Sequence, residues 1–266
     1  MRVRKFLWLV VILALVAAAC GDDDGGSGLT AEEGVLTVGS DIPFLPFEGF
    51  EGETVVGFDA DLINEIASRL DLEVEWIDTD FDTIFTQLAT GAFDVVASAT
   101  TITPDRSQQV NFTTPYYRAQ QALTVNSNET PEITGVDDLG DTHSVAVQTG
   151  TTGAAWAHEN LEPQGVEVVE FPEAADTYNA LEGGTVTGVI FDEPSAVEEA
   201  ANREGLAVVA VIDTDEDYGF GVDPARTELL DEMNRVLQDM FDDGTYQEIY
   251  DRWFDAPAGS VLYEEM

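Results

Sequence analysis

The sequence predicts an α/β fold with mostly parallel sheets. Three observations carry this. Apolar runs of strand length alternate with stretches of helical spacing from residue 36 onward, and the alternation restarts after residue 126. Roughly 230 residues follow an N-terminal targeting segment, enough for one large domain or two lobes.

Each element has a local cause. Residues 36–40 form the first strand and end in a loop over 41–47. Residues 55–59 lead into a helix over 60–70, where Leu62, Ile63, Ile66, Ala67 and Leu70 keep one face apolar. Residues 73–77 alternate as a strand, and 82–90 read as a helix with Gly91 as its C-cap. Residues 94–98 are a short apolar run, consistent with a buried parallel strand. Thr103 and Pro104 supply an N-cap and a first helical residue, which puts Arg106 in the first turn of a further helix. In the second half, strands are predicted over 144–148, 166–171, 186–191 and 206–211, and helices over 154–160, 177–181 and 195–203, with a short turn element at 136–139. Residues 227–254 are mostly helical, broken at Asp242-Asp243-Gly244. No internal repeat is visible.

The N-terminus is set apart from the fold. Arg2, Arg4 and Lys5 precede an apolar run over 6–16 that is too short for a comfortable membrane span, and Ala17-Ala18-Ala19 leads to Cys20. An ordinary signal peptide would leave Cys20 a bystander; a lipoprotein signal would be cleaved before Cys20 and place lipid on its sulfur. The single Cys of the chain lies where the second chemistry requires it, although Ala17 stands where a lipobox usually has Leu. Residues 1–19 are therefore read as a lipoprotein signal peptide, and 20–34 as the lipidated Cys with a flexible tether, Gly- and Asp-rich over 21–28. One Cys permits no intrachain disulfide.

The charge balance is extreme: 53 acidic against 10 basic residues. Three of the bases precede Cys20, so the remainder holds seven Arg, no Lys and a formal charge of −46. The acids are dispersed along the chain. Binding to DNA or to an anionic membrane face is excluded on this ground, and the surface suits a saline exterior, where screening relieves self-repulsion.

Several separated segments, in order, carry a resemblance. They are Ser40-Asp41 with Pro46-Phe47-Glu48, the Gly57-Phe-Asp-Ala-Asp-Leu62 run, Phe81-Asp82, and Thr101-Ile-Thr-Pro-Asp-Arg106 with Phe112 and Pro115-Tyr-Tyr117. Gly150-Thr-Thr152, Phe191-Asp192 and the run from Gly244 to Phe254 complete them. Together they resemble the type II periplasmic binding proteins for polar amino acids that feed ABC importers, nearest to glutamine- and histidine-type binders. The resemblance implies two α/β lobes with mostly parallel sheets, joined by a two-strand hinge, with the ligand in the cleft. It implies crossings near 123–125 and 218–222, a first lobe from 35–124 and 220–256, a second lobe from 125–219, and a tail over 257–266. It implies a monomer, ABC permease subunits as partner, a membrane held through the lipid alone, and no cofactor or metal.

A free amino acid presents a carboxylate, an ammonium and a side chain, and a selective cleft needs a partner for each. The resemblance places the carboxylate grip on Arg106, whose guanidinium suits a bidentate bond. A surface Arg pairing with Asp105 is the bland alternative. Thr151 and Thr152 would grip the carboxylate from the other lobe through a helix N-terminus, a role that coexists with simple capping. Asp192 would hold the ammonium, with Ala99 carbonyls and the Thr101 hydroxyl completing its shell and Ser98 adjacent. Phe44 and Phe81 match cleft aromatics that sandwich the side chain, though an isolated Phe is more often core. Asp41 and Gln148 match positions that tune the side-chain pocket; loop hydrogen bonding is the alternative. With no Lys and Asp41 as acceptor, glutamine or another polar neutral or basic amino acid is favoured over glutamate.

Two rival classes stand beside a binder. A dehydratase-type enzyme on the same fold would need a poised acid or base, and the chain's two His residues, His143 and His158, match no cleft position. A receptor's sensor domain would be followed by a span or signalling module. The charge of the chain sets one expectation directly: its melting temperature rises steeply with added salt into the molar range, and circular dichroism across a salt series that shows full stability in dilute buffer, unchanged by salt, refutes the halophilic reading.

Overall fold

The computed structural model describes residues 28–254. The signal segment, Cys20, most of the tether and the tail over 257–266 lie outside the described residues. The chain runs through β1 (Val35–Ser40), a hairpin of β2 (Gly49–Glu51) and β3 (Thr54–Val56), α1 (Phe58–Arg69), β4 (Glu73–Asp78), α2 (Phe81–Ala89), β5 (Val95–Val96), β6 (Asn111–Phe112) and β7 (Tyr117–Asn126). It continues through β8 (Ser144–Gln148), α3 (Thr152–Asn160), β9 (Glu167–Phe171), α4 (Ala174–Glu182), β10 (Gly188–Asp192), α5 (Glu193–Asn202), β11 (Leu206–Tyr218), β12 (Gly221–Val222), α6 (Thr227–Asp243) and α7 (Thr245–Trp253).

Two five-stranded sheets result, ordered β4-β1-β5-β12-β6 and β11-β7-β10-β8-β9. β1 pairs in parallel with β4 and β5, and β8 in parallel with β9 and β10, so the centre of each sheet is parallel as expected. Each sheet is extended by antiparallel strands, β12 and β6 in the first, β7 and β11 in the second. The helices cover the sheets with their apolar stripes. Leu62, Ile63 and Ile66 of α1 join Leu229, Met233, Val236 and Leu237 of α6 and Tyr246 and Tyr250 of α7 in one core around Leu36 and Val38. The C-terminal helices thus pack on the first sheet, and Gly244, left-handed at φ 87°, makes the break between them.

The structure departs from the local reading in three places. The predicted helix after Thr103-Pro104 is a single 3-10 turn, Arg106–Gln108, in which Thr103 Oγ1 accepts from Arg106 N at 3.2 Å. The hairpin β2–β3 spans residues 49–56, between the loop expected over 41–47 and the start of α1, where no strand was expected. Residues 123–125, taken as the first crossing, pair with β10 inside the second sheet, and the two chain passages instead run side by side where Tyr117, Arg118 and Ala119 meet Tyr218, Asp217 and Glu216.

Beneath the cleft wall the first lobe buries two carboxyl groups, Glu48 and Asp59, both fully inaccessible. Ser98 Oγ donates to Glu48 Oε1 at 3.1 Å; Ala99 N and Tyr116 OH donate to Asp59 Oδ2 at 2.9 and 2.7 Å. The other oxygens, Glu48 Oε2 and Asp59 Oδ1, have no partner. Burial, and then the charge of Asp59, pushes Glu48 well above the carboxylate range, and burial raises Asp59 to about 7. Unfolded, both titrate near 4. Between about pH 4 and 7 the folded chain holds protons that the unfolded chain has released, so stability falls as pH rises through that window. Asp243, lowered to about 2 by its bonds to Arg69 and Thr245, contributes oppositely only at lower pH. The melting temperature is therefore higher at pH 5 than at pH 8, and Glu48→Gln flattens the difference; a melting curve unchanged or higher at pH 8 contradicts the buried-proton account.

Candidate functional site

The two lobes face each other across a cavity that opens to solvent. All eleven residues expected from the sequence line it: Asp41, Phe44, Phe81, Ser98, Ala99, Thr101 and Arg106 from the first lobe, and Gln148, Thr151, Thr152 and Asp192 from the second. Gln121 of β7 and Phe191 of β10 line it as well and were not foreseen as site residues.

Arg106 is the centre of the arrangement. It is 8% exposed. Nη1 donates to Thr101 O at 2.9 Å, and Nη2 reaches across the cleft to Gly150 O at 3.2 Å. Its guanidinium carbon lies 4.7 Å from the centre of Phe85 and 5.3 Å from that of Phe81, so aromatic faces support the cation. Among the described residues the other six Arg each have a carboxylate within 4.0 Å, and Arg106 has none. The bland pairing with Asp105 is not made. Burial pulls the Arg106 pKa down, opposed by the charges of Asp192 and Glu216.

On the opposite wall, α3 starts the second half of the grip. Thr151 is its N-cap: its hydroxyl accepts from Ala154 N at 3.1 Å and donates to Gln148 O at 2.8 Å, so this hydroxyl is engaged in capping. Thr152 Oγ1 instead donates to Glu216 at 2.6 Å. Gly150 has φ 82°, and a Cβ there would stand 3.2 Å from Asp82 Cα across the cleft, so a side chain at this position would hold the lobes apart.

Asp192 ends β10. Tyr218 OH donates to its Oδ2 at 2.5 Å, and Gln121 Nε2 donates to its Oδ1. Burial, then Glu216, raises it to about 7. At the far end of the cavity Gln148 Nε2 donates across the cleft to Asp41 Oδ2 at 2.6 Å and to Pro172 O at 3.0 Å. Burial raises Asp41 to about 6, and the charges of Glu173, Asp78 and Asp80 add to this. Ser98 Oγ accepts from Asp41 N at 3.1 Å while giving its proton to Glu48, so it braces the wall. Ala99 adopts φ 45°, an unusual conformation for a residue with a Cβ, anchored by its N–H on Asp59. Phe44 packs on Phe191 at 5.2 Å across the lobes, and Phe81 lies against Arg106. The aromatic pair thus occupies two places in the cavity wall, one at the lobe seam and one under the guanidinium.

Gln121 carried no distinct signal in the sequence, since it stands beside Gln120 in the mixed run Ala119-Gln-Gln-Ala-Leu-Thr-Val125. It is fully buried, and its Oε1 has no partner. His143 and His158 lie away from the cavity, His158 exposed between Glu162 and Glu170 at 3.0 and 3.1 Å.

A cleft between two α/β lobes, with, on one wall, a buried cation that has no carboxylate within 4.0 Å among the described residues and, on the other, a half-buried acid, is the arrangement of a solute-binding site. The chain belongs to the bacterial extracellular solute-binding proteins, family 3, whose sequence profile matches residues 36–256. It is 32% identical over 254 residues to the glutamate-binding protein GluB of Corynebacterium efficiens, covering 89% of this chain and 85% of that protein. Two solved structures share the architecture. An ancestral arginine-binding protein bound to arginine superposes with a TM-score of 0.78 at 35% identity, over 84% of this chain and 99% of that one. An ancestral amino acid-binding protein described as a precursor of cyclohexadienyl dehydratase gives 0.77 at 34% identity, over 84% and 96%.

Proposed function

We propose that this chain is the substrate-binding component of an ABC importer and takes a polar L-amino acid between its lobes. The observation that carries the reading is Arg106, a buried guanidinium that faces the cavity without a carboxylate of its own. A ligand carboxylate supplies the missing partner, received by the Arg106 fork and by backbone N–H groups at the start of α3. Asp192 receives the ammonium with the Thr101 oxygen beside it. The lobes close on the ligand, deliver it to the permease subunits and act as a monomer. Cys20 carries a lipid that tethers the protein to the outer face of the cell membrane.

The side-chain end favours a cation. Asp41 stands there with Glu173, Asp78 and Asp80 adding negative potential, and no Arg among the described residues pairs with Asp41. A basic side chain relieves that potential and meets Asp41 directly, so arginine is the first ligand. Glutamine is the second, because Asp41 and Gln148 together offer an acceptor and an amide. Glutamate would bring a further negative charge to the same place. A dehydratase reading has less support, since neither His of the chain is near the cavity.

In a thermal-shift screen of free amino acids, arginine gives the largest stabilisation and glutamate none; a ligand at 100 times its Kd adds about 2.7 kcal/mol. Arg106→Ala weakens binding by about 3–5 kcal/mol, the scale for stripping a buried charge of its partner, and Arg106→Lys also loses affinity because the fork is gone. Calorimetry that finds near-wild-type affinity in Arg106→Ala overturns the assignment, and consumption of an offered ligand would make the chain an enzyme. Separately, Cys20→Ser is expected to release the protein from membranes into the medium; a variant that stays as firmly bound as wild type contradicts the lipid anchor.

A further inference from the structure

Glu216 is a buried carboxylate whose place in the molecule points to a role of its own. It lies on β11 just past an irregularity, where pairing with β7 jumps from Ile212 to Glu216 and Asp215 takes φ 50°. Asp213 and Asp215 on either side of Thr214 are exposed, whereas Glu216 is turned inward and only 7% exposed. Its Oε2 accepts from Thr101 Oγ1 at 2.7 Å and from Thr152 Oγ1 at 2.6 Å, and its Oε1 accepts from Gln121 Nε2 at 3.1 Å. One carboxylate therefore collects a hydroxyl from each lobe and an amide from β7 of the second sheet.

A hydroxyl has one proton to give and two lone pairs. With both protons committed to Glu216, the Thr101 and Thr152 oxygens that line the cavity have acceptor capacity alone to offer a ligand. Acceptors suit an ammonium and disfavour a carboxylate. Gln121, which also donates to Asp192, ties the same network to the acid opposite.

We propose that Glu216 is a positioning residue that sets selectivity for the ligand's α-ammonium: by holding the Thr101 and Thr152 hydroxyl protons it keeps both oxygens as acceptors, so a ligand without the amino group leaves them unsatisfied and is rejected. The proposal rests on the amino-acid reading of the cavity. An amide at this position would break the arrangement, since its NH₂ needs an acceptor and takes a threonine lone pair, freeing that hydroxyl to donate into the cavity instead.

The test compares arginine and glutamine, each with its analogue bearing hydrogen in place of the α-amino group, by calorimetry on wild type and Glu216→Gln. Wild type prefers each amino acid by at least about 100-fold, as a site built around a polar group does. Glu216→Gln lowers amino-acid affinity by about tenfold, the scale of one lost hydrogen bond in a buried site, and leaves the analogues nearly unchanged, so the preference shrinks. Thr101→Val removes one of the two acceptors without touching β11, shrinks the preference likewise, and combines less than additively with Glu216→Gln. A preference unchanged in both variants overturns the role of Glu216 alone. A wild type that binds neither amino acid overturns the reading beneath it, and this proposal falls with it.

Discussion

A guanidinium buried without a counter-carboxylate, in a chain with more than five acids for each base, organises this molecule. Every acid nearby is a potential partner for Arg106, and a direct pair would occupy the fork. The structure instead gives it carbonyl oxygens, Thr101 O and Gly150 O, and the faces of Phe81 and Phe85. Those contacts hold the cation in place without neutralising it. They also dictate the surroundings: a tight turn after Thr103-Pro104 to bring Arg106 back to its own strand end, a glycine at 150 to let the second lobe come close, and aromatic residues at the start of α2.

The acids are arranged around that cation at graded distance. Asp192 and Glu216 affect Arg106 electrostatically but spend their oxygens on neutral donors, namely Gln121, Tyr218, Thr101 and Thr152. Asp41 does the same with Gln148. The cavity therefore keeps one cation and several acids apart from one another, each already desolvated and oriented. This arrangement is unfavourable for the empty chain, as the raised titration of Asp41 and Asp192 records, and it leaves an electrostatic debt that a zwitterion or cation can settle.

The contacts between the lobes use the same groups. Asp41 to Gln148, Arg106 to Gly150, and the Thr101–Glu216–Thr152 bridge each span the lobes at a different depth of the cavity. Ser195 Oγ adds a bond to Leu45 O at the rim. Among the described residues these contacts between the lobes are polar, beside the Phe44–Phe191 aromatic contact. Hydrogen bonds of this kind contribute about 1 kcal/mol each in net terms, so the bonds between the lobes together hold them by only a few kcal/mol.

Much of this was determined by the sequence alone. Periodicity placed most helices and strands to within a few residues, because the apolar face of α1 or α6 and the runs of β8 and β10 are local properties. The motif around Thr101 and Arg106, with Asp192 and the Thr151-Thr152 pair, named residues that the fold brings to one cavity. The tertiary structure decided the rest. Arg106 stands in a 3-10 turn, since the chain must rejoin β6 at once and cannot propagate a helix. The hairpin of β2 and β3 stayed hidden because three-residue strands carry no periodic signal. Glu216 stands in the run Asp213-Thr-Asp-Glu-Asp217, where every residue reads as solvated surface; the alternation of exposed 213 and 215 with 214 and 216 runs on through the irregularity, and what buries Glu216 is its contact with Thr101, Gln121 and Thr152 from distant segments. Glu48 and Asp59 are likewise eleven residues apart in a chain rich in acids, and their shared burial arises from packing against Ser98 and Tyr116. Local pattern specifies what an element is, but which acid loses its water depends on contacts between segments far apart in the chain, and those exist only once it has folded.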